Sequence, residues 1–131
     1  MSRPHFLQPL LRKNPGSPRL QNARSGRLIA SRVETAFDSG DRRRGLLGRD
    51  GLEGDQALVI APTNLVHTFA MRFAIDILFA SRDGRIIKVC RAVPPRRIAG
   101  ALRGFAVVEL AAGQADASDT RVGDAIHVVY D

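Results

Sequence analysis

The first sustained pattern of apolar and polar positions begins at Leu28, where Ile29, Ser31, Val33, Thr35 and Phe37 alternate with mostly polar or small neighbours. That period of two predicts a half-buried strand. Asp38-Ser39-Gly40 then offers a turn with helix N-cap candidates and leads into a short helix over residues 41–48, apolar only at Leu46 and Leu47. Asp50-Gly51 stops it, residues 57–61 read as a short buried strand, and Pro62, which has no amide donor, ends that strand. The longest alternation covers residues 67–79, with His67, Phe69, Met71, Phe73, Ile75, Ile77 and Phe79 on one parity and Thr68, Ala70, Arg72, Ala74, Asp76 and Leu78 on the other. A single strand is usually about 5 to 6 residues, so this run predicts two strands joined by a bend near residues 72–74. Asp83-Gly84 suits the positive φ angles of a tight hairpin turn, and residues 85–93 return as the partner strand. Pro94-Pro95 closes it, a loop with Arg96, Arg97 and Arg103 follows, and residues 105–110 read as another strand. A short helix over 111–118, a turn at Val122-Gly123-Asp124 and a last strand over 125–130 complete the series. The class expected is α+β and β-rich: a compact sheet or half-closed barrel of five to six short strands with one or two short helices.

Length and composition narrow this. With 131 residues, 44% of them apolar and 25% charged, the chain suffices for one ordinary domain with a real core. The net charge of +7 invites a nucleic-acid reading, yet residues 1–32 hold seven basic side chains and no acid, which leaves 13 of each sign from Val33 onward. Residues 1–27 also carry four of the seven prolines (Pro4, Pro9, Pro15, Pro18) without periodicity. They are expected to be a disordered basic arm, or an over-extended start, ahead of a single β-rich domain over 28–131. The N-terminal residues lack the uninterrupted apolar core of a secretory signal, and no stretch approaches the roughly 20 apolar residues of a membrane-spanning helix. The single cysteine, Cys90, has no internal disulfide partner and suits a reducing cytoplasm.

Several motifs occur in a fixed order: Arg44-Gly45-Leu46-Leu47-Gly48-Arg49, then His67-Thr68-Phe69-Ala70-Met71-Arg72-Phe73-Ala74-Ile75-Asp76, then Asp83-Gly84-Arg85-Ile86-Ile87, then Glu109-Leu110-Ala111-Ala112-Gly113, and finally Gly123-Asp124. Over about residues 33–131 the chain resembles the domain-of-unknown-function 192 family of small bacterial and archaeal proteins, many of which carry Pro where Ala74 stands. The resemblance implies a β-rich fold with a short helix near its start, and it implies no reaction.

Five charged residues are candidates for a binding site. Arg72 and Asp76 share parity with Thr68, Ala70 and Ala74, whose small side chains leave room above a sheet for a polar ligand. On a straight strand the two lie about 13 Å apart, too far to pair, so either the chain bends or each has another partner. Glu109 shares parity with Phe105 and Val107; pointing inward, its carboxyl needs a cation such as Arg72 or Arg44, and pointing outward it is a rim charge. Arg42-Arg43-Arg44 falls in the first turns of the predicted helix, where the helix dipole disfavours positive charge, and this hints at a use. Arg44 and Arg49, which lie in the first motif, suit two-pronged binding of carboxylate or phosphate; a solvated charge run with one structural arginine is the plainer reading. His67 falls on the apolar parity, which favours a hydrogen-bonded core histidine over a proton carrier or metal ligand. Cys90 reads as a buried, inert thiol.

No phosphate-cradling glycine loop, nucleophile elbow, zinc-binding His-Glu-x-x-His or paired Cys-x-x-Cys occurs, so neither cofactor nor metal is expected. Few aromatics and no aromatic basic strand leave nucleic acid only weak contact through the arm. The leading expectation is a non-catalytic binding or accessory module, with Arg44, Arg49, Arg72, Asp76 and Glu109 lining a groove for a small anionic or carbohydrate-like ligand or a partner chain. The alternatives are an enzyme using Asp76, Glu109 or His67 as acid or base, and a nucleic-acid-associated protein acting through the arm.

Overall fold

The computed structural model describes residues 4–11, 16–69 and 71–130. Among them, ten strands and three short helices follow one another: α1 (Gln8–Leu11), β1 (Pro18–Asn22), β2 (Leu28–Ala30), β3 (Arg32–Ala36), α2 (Ser39–Arg44), β4 (Gln56–Ile60), β5 (Leu65–His67), β6 (Ile75–Ala80), β7 (Ile86–Val93), β8 (Ile98–Gly100), β9 (Ala106–Ala111), α3 (Gln114–Ala117) and β10 (Ile126–Tyr130). The β-rich α+β class is as the alternation indicates, and the strand count is higher because the strand predicted over 28–37 is divided and because β1 and β8 form where an arm and a loop are expected.

The spine is a five-stranded sheet in the order β3-β4-β9-β6-β7. Only β3 and β4 run parallel; the other neighbours are antiparallel. Its middle strands read as nearly continuous apolar runs because both faces are covered. On one face Val59, Leu78, Ala80, Val108 and Leu110 pack with Leu7, Leu20, Ile29 and Ile126. On the other, Leu58, Ile60, Ile75, Ile77, Phe79 and Val107 pack with Leu46 and Met71. A three-stranded antiparallel sheet, β10-β1-β2, covers the first face, and a two-stranded ribbon, β5-β8, stands beside the second. The Asp83-Gly84 hairpin joins β6 to β7 as predicted: Gly84 has φ +86°, and a Cβ there would sit 2.9 Å from Phe6.

Three expectations change. The strand predicted from Leu28 to Phe37 breaks at Ser31 because its halves belong to different sheets; the Ser31 and Arg32 amides both donate to the Asp55 carbonyl at the crossing. The domain does not begin at Leu28. Strand β1 is the centre of its sheet, with Leu20 and Asn22 pointing inward between polar neighbours, and Leu7 is wholly buried. The Phe6 amide donates to the Arg82 carbonyl, and the Tyr130 hydroxyl donates to the Pro9 carbonyl. Of the predicted arm, residues 1–3 and 12–15 lie outside the described residues. Finally, the run over 67–79 divides more widely than a bend at 72–74: β5 ends at His67, β6 begins at Ile75, and all six residues of β6 are buried.

Candidate functional site

The site is built around the end of α2. The Asp38 side chain caps its start, accepting from the Asp41 amide at 2.7 Å, and Gly45, at φ 48°, turns the chain away after Arg44. Arg42, Arg43 and Arg44 therefore occupy the last turn of the helix, where the dipole favours cations; the predicted conflict with the dipole does not exist, because the helix is shorter and starts earlier than residues 41–48. Arg42 donates to the Phe37 carbonyl at 2.5 Å, and Arg44 pairs with Asp41 at 2.6 Å. Arg43 forms neither a hydrogen bond nor an ion pair among the described residues, and this exposed residue lines a cavity of about 360 Å³.

That cavity lies between α2 and β5. Its walls are apolar at Leu46, Ile60, Val66 and Met71, and its polar lining includes Arg43, Thr63, His67 and Glu109. Glu109 comes from β9, where it stands opposite Leu58 on one side and Ile77 on the other. It is 3% exposed, and among the described residues no N–H or O–H donates to its carboxyl. Burial pushes its pKa up to about 7, with the Arg49 guanidinium pulling weakly the other way. The inward reading of Glu109 holds, but neither Arg44 nor Arg72 is a hydrogen-bonding partner. Arg44, Gly45 and Leu47 also border a second cavity of about 310 Å³, whose lining includes Arg49. There Arg49 pairs with Glu34 at 2.5 Å.

Three of the five predicted residues, Arg44, Arg49 and Glu109, thus gather around the end of α2. The other two do not line either cavity. Arg72 pairs with Asp50 at 2.7 Å in the open. Asp76 is 1% exposed and lies on the opposite face of the sheet from Glu109. One of its carboxylate oxygens accepts from the Ala92 amide at 2.8 Å; the other accepts from the Gly113 and Ala115 amides at 3.0 and 2.9 Å. Asp76 therefore ties β7 and the start of α3 to the central sheet. The common face predicted for Arg72 and Asp76 needs a strand through residue 72, and the strand starts at Ile75. His67 is not a core residue: it is exposed, its ring lies 5.5 Å from that of Phe69, and it borders the larger cavity. Cys90 is half-buried against the core cluster of Ile77 and Phe79. The Arg42-Arg43-Arg44 run is legible in the sequence with Arg44 as its favoured member; that Arg44 is paired with Asp41 and Arg43 is the unpaired one is a property of the folded chain.

The sequence profile of the domain-of-unknown-function 192 family, described as an uncharacterized ACR, matches residues 20–128. The chain belongs to this family. Its DUF192 domain thus includes β1, upstream of the resemblance seen at residues 33–131. Two solved structures share the fold. One is a protein of unknown function from Novosphingobium aromaticivorans DSM 12444, at 21% identity, with a TM-score of 0.73 over 84% of this chain and 82% of that one. The other, from Sinorhizobium meliloti 1021, is named as a candidate transcription regulator; at 25% identity it has a TM-score of 0.74 over 85% of this chain and 91% of that one. No curated protein matches the chain. DUF192 membership brings no reaction with it, so function has to be argued from the cavity.

Proposed function

We propose that this DUF192 protein binds a small organic anion of carbohydrate-like polarity in the cavity between α2 and β5. The observation that carries the reading is Glu109, a buried carboxyl with no donor among the described residues, lining a cavity that the unpaired Arg43 also lines. Buried polar groups are normally satisfied by the protein itself. A carboxyl that is not is suited to a hydroxyl or carboxyl brought by a ligand. Arg43 supplies a fork for the ligand's anionic group, and Leu46, Ile60, Val66 and Met71 cover its apolar body. The cavity volume falls within the range of small-molecule sites.

An acid–base enzyme is the second reading, supported by the pKa of Glu109 near 7, a value matched to proton transfer at neutral pH. A regulator acting through its basic N-terminal residues has less support. Arg24 is engaged with Asp119 and Asp124, and Arg32 with Glu53 and Asp55. No helix of the described residues is long and apolar enough to cross a membrane. We assign the chain to the cytoplasm because its single cysteine fits a reducing compartment.

The test is calorimetric titration of the full chain with glucuronate and with glucose 6-phosphate, repeated with Arg43→Gln and Glu109→Gln. Saturable binding that either substitution weakens about tenfold supports the reading. Heat of binding unchanged by both variants, or no heat from either probe, overturns it. Turnover of a bound probe that Glu109→Gln abolishes moves the assignment to the enzyme.

A further inference from the structure

The β5-β8 ribbon breaks the usual pattern of a solvated sheet face. Its register pairs Leu65 with Gly100, Val66 with Ala99 and His67 with Ile98. Val66 and Ala99 turn inward and pack on the core cluster of Ile77 and Phe79. The outward face should then be polar. Instead it carries Leu65 and Ile98, 60% and 64% exposed, and the turn that follows β8 presents Leu102 at 94%. These are not fraying ends. The Thr68 hydroxyl donates to the Pro94 carbonyl at 2.7 Å and accepts from the Arg97 amide at 2.9 Å, the Lys88 ammonium donates to the Gly100 carbonyl at 2.8 Å, and the Gly104 amide closes the turn on Ala101 at 2.8 Å.

The stretch of chain that carries β8 is basic, although Arg91 within it is paired with Asp116. From Arg85 to Val108 the chain holds six basic residues and no acid. Arg96 and Arg103, beside Ile98 and Leu102, pair with no carboxylate among the described residues. A second copy meeting this face by a two-fold axis would set basic rim against basic rim. Single-stranded nucleic acid is bound through aromatic stacking, whereas the exposed side chains of this face are mainly aliphatic and its rings, His67 and Phe69, lie 5.5 Å from each other. What matches aliphatic side chains ringed by cations is a surface that is itself apolar beneath a layer of negative charge.

We infer that the outward face of the β5-β8 ribbon docks on an anionic lipid bilayer, with Leu65, Ile98 and Leu102 entering the interface and Arg96 and Arg103 meeting the head groups. The contact is peripheral; it shares Leu65 with the lining of the cavity between α2 and β5 and involves neither Arg43 nor Glu109.

Sedimentation of the full chain with vesicles of phosphatidylcholine alone, and of phosphatidylcholine mixed with phosphatidylglycerol, tests it. Binding is expected only to the mixed vesicles and should weaken with salt. Leu102→Asp should reduce it about tenfold, and Arg96→Gln or Arg103→Gln about fivefold each. All three side chains project into solvent, so an unchanged thermal midpoint verifies that each variant is folded. Absence of binding to the mixed vesicles, equal binding to both kinds, or binding indifferent to Leu102→Asp overturns the inference. Retention of the chain by duplex DNA but not by the mixed vesicles would overturn it too and hand the face to nucleic acid.

Discussion

Asp76 and Glu109 are buried carboxyls on adjacent strands of one sheet, and they end in opposite situations. Asp76, opposite Leu110, faces the side covered by the β10-β1-β2 sheet; Glu109, opposite Ile77, faces the side of α2 and the ribbon. The first meets three backbone amides, so each charge-assisted bond offsets part of the cost of leaving water. The second meets apolar side chains and a cavity, so burial acts on it nearly unopposed and its proton affinity rises. Burial by itself therefore does not tell a structural carboxylate from a functional one; the number of donors that reach it does.

That contrast breaks first at Asp76. Asp76→Ala strands the amides of Ala92, Gly113 and Ala115 and should lower the unfolding free energy by about 4 kcal/mol, measured by urea denaturation. A loss under about 1 kcal/mol would mean that water replaces the carboxylate, which contradicts the role assigned to it.

Glu109 should show the opposite sign. Its folded pKa of about 7 lies above its unfolded value of 4.5. Below pH 4.5 the proton is bound in both states, and as pH rises from there to 7 only the folded state keeps it. Stability from this group is therefore full at low pH and lost as pH rises through 7, by about 3 kcal/mol in total. Asp124 works the other way. The Arg24 hydrogen bond holds its carboxyl well below the usual range, and its stabilisation disappears in strong acid. The difference in stability between wild type and Glu109→Gln, followed from pH 4 to 9, isolates the glutamate; a difference that does not vary with pH would refute the raised pKa.

Two smaller effects sharpen the picture. Ala92 donates to Asp76 from a left-handed backbone conformation, φ 48°, so Ala92→Gly should stabilise the fold by about 0.5–1 kcal/mol in the same urea assay. The gain should shrink in an Asp76→Ala background, where the carboxylate no longer holds the amide in place. Smallest of all, Arg72→Ala should leave the denaturation midpoint unchanged within error, because its ion pair with Asp50 stands in solvent.

Period-two alternation and turn residues were enough to read most elements: the Asp83-Gly84 hairpin, the strand ended by Pro62, the last strand after Gly123-Asp124. What alternation does not record is the change of sheet. At Ser31 and again between His67 and Ile75 the apolar rhythm runs on while the backbone crosses from one sheet to another. The same gap explains the candidate site. Glu109 could be placed by parity because β9 is an unbroken strand, whereas Arg72 was placed by a parity that no strand supports. Strand β1 went unread because Arg19 and Gln21 flank a single apolar residue and its other inward position is Asn22, whose amide donates to Asp124 at 2.9 Å. Its burial is polar, and a hydrophobic pattern does not register it.

The place of β1 also bears on how the chain reaches this state. The Asn22 amide meets Asp124 across 102 positions of sequence, and the whole of β1 lies against β10. On the ribosome, β1 emerges early and can complete its sheet only after β10 has left the exit tunnel. Until then Leu20 and Ile29 lack the Ile126 side of their core. The central five-stranded sheet has all its strands by β9, so assembly should proceed in two acts, with β1 waiting on the emergence of β10 before it docks.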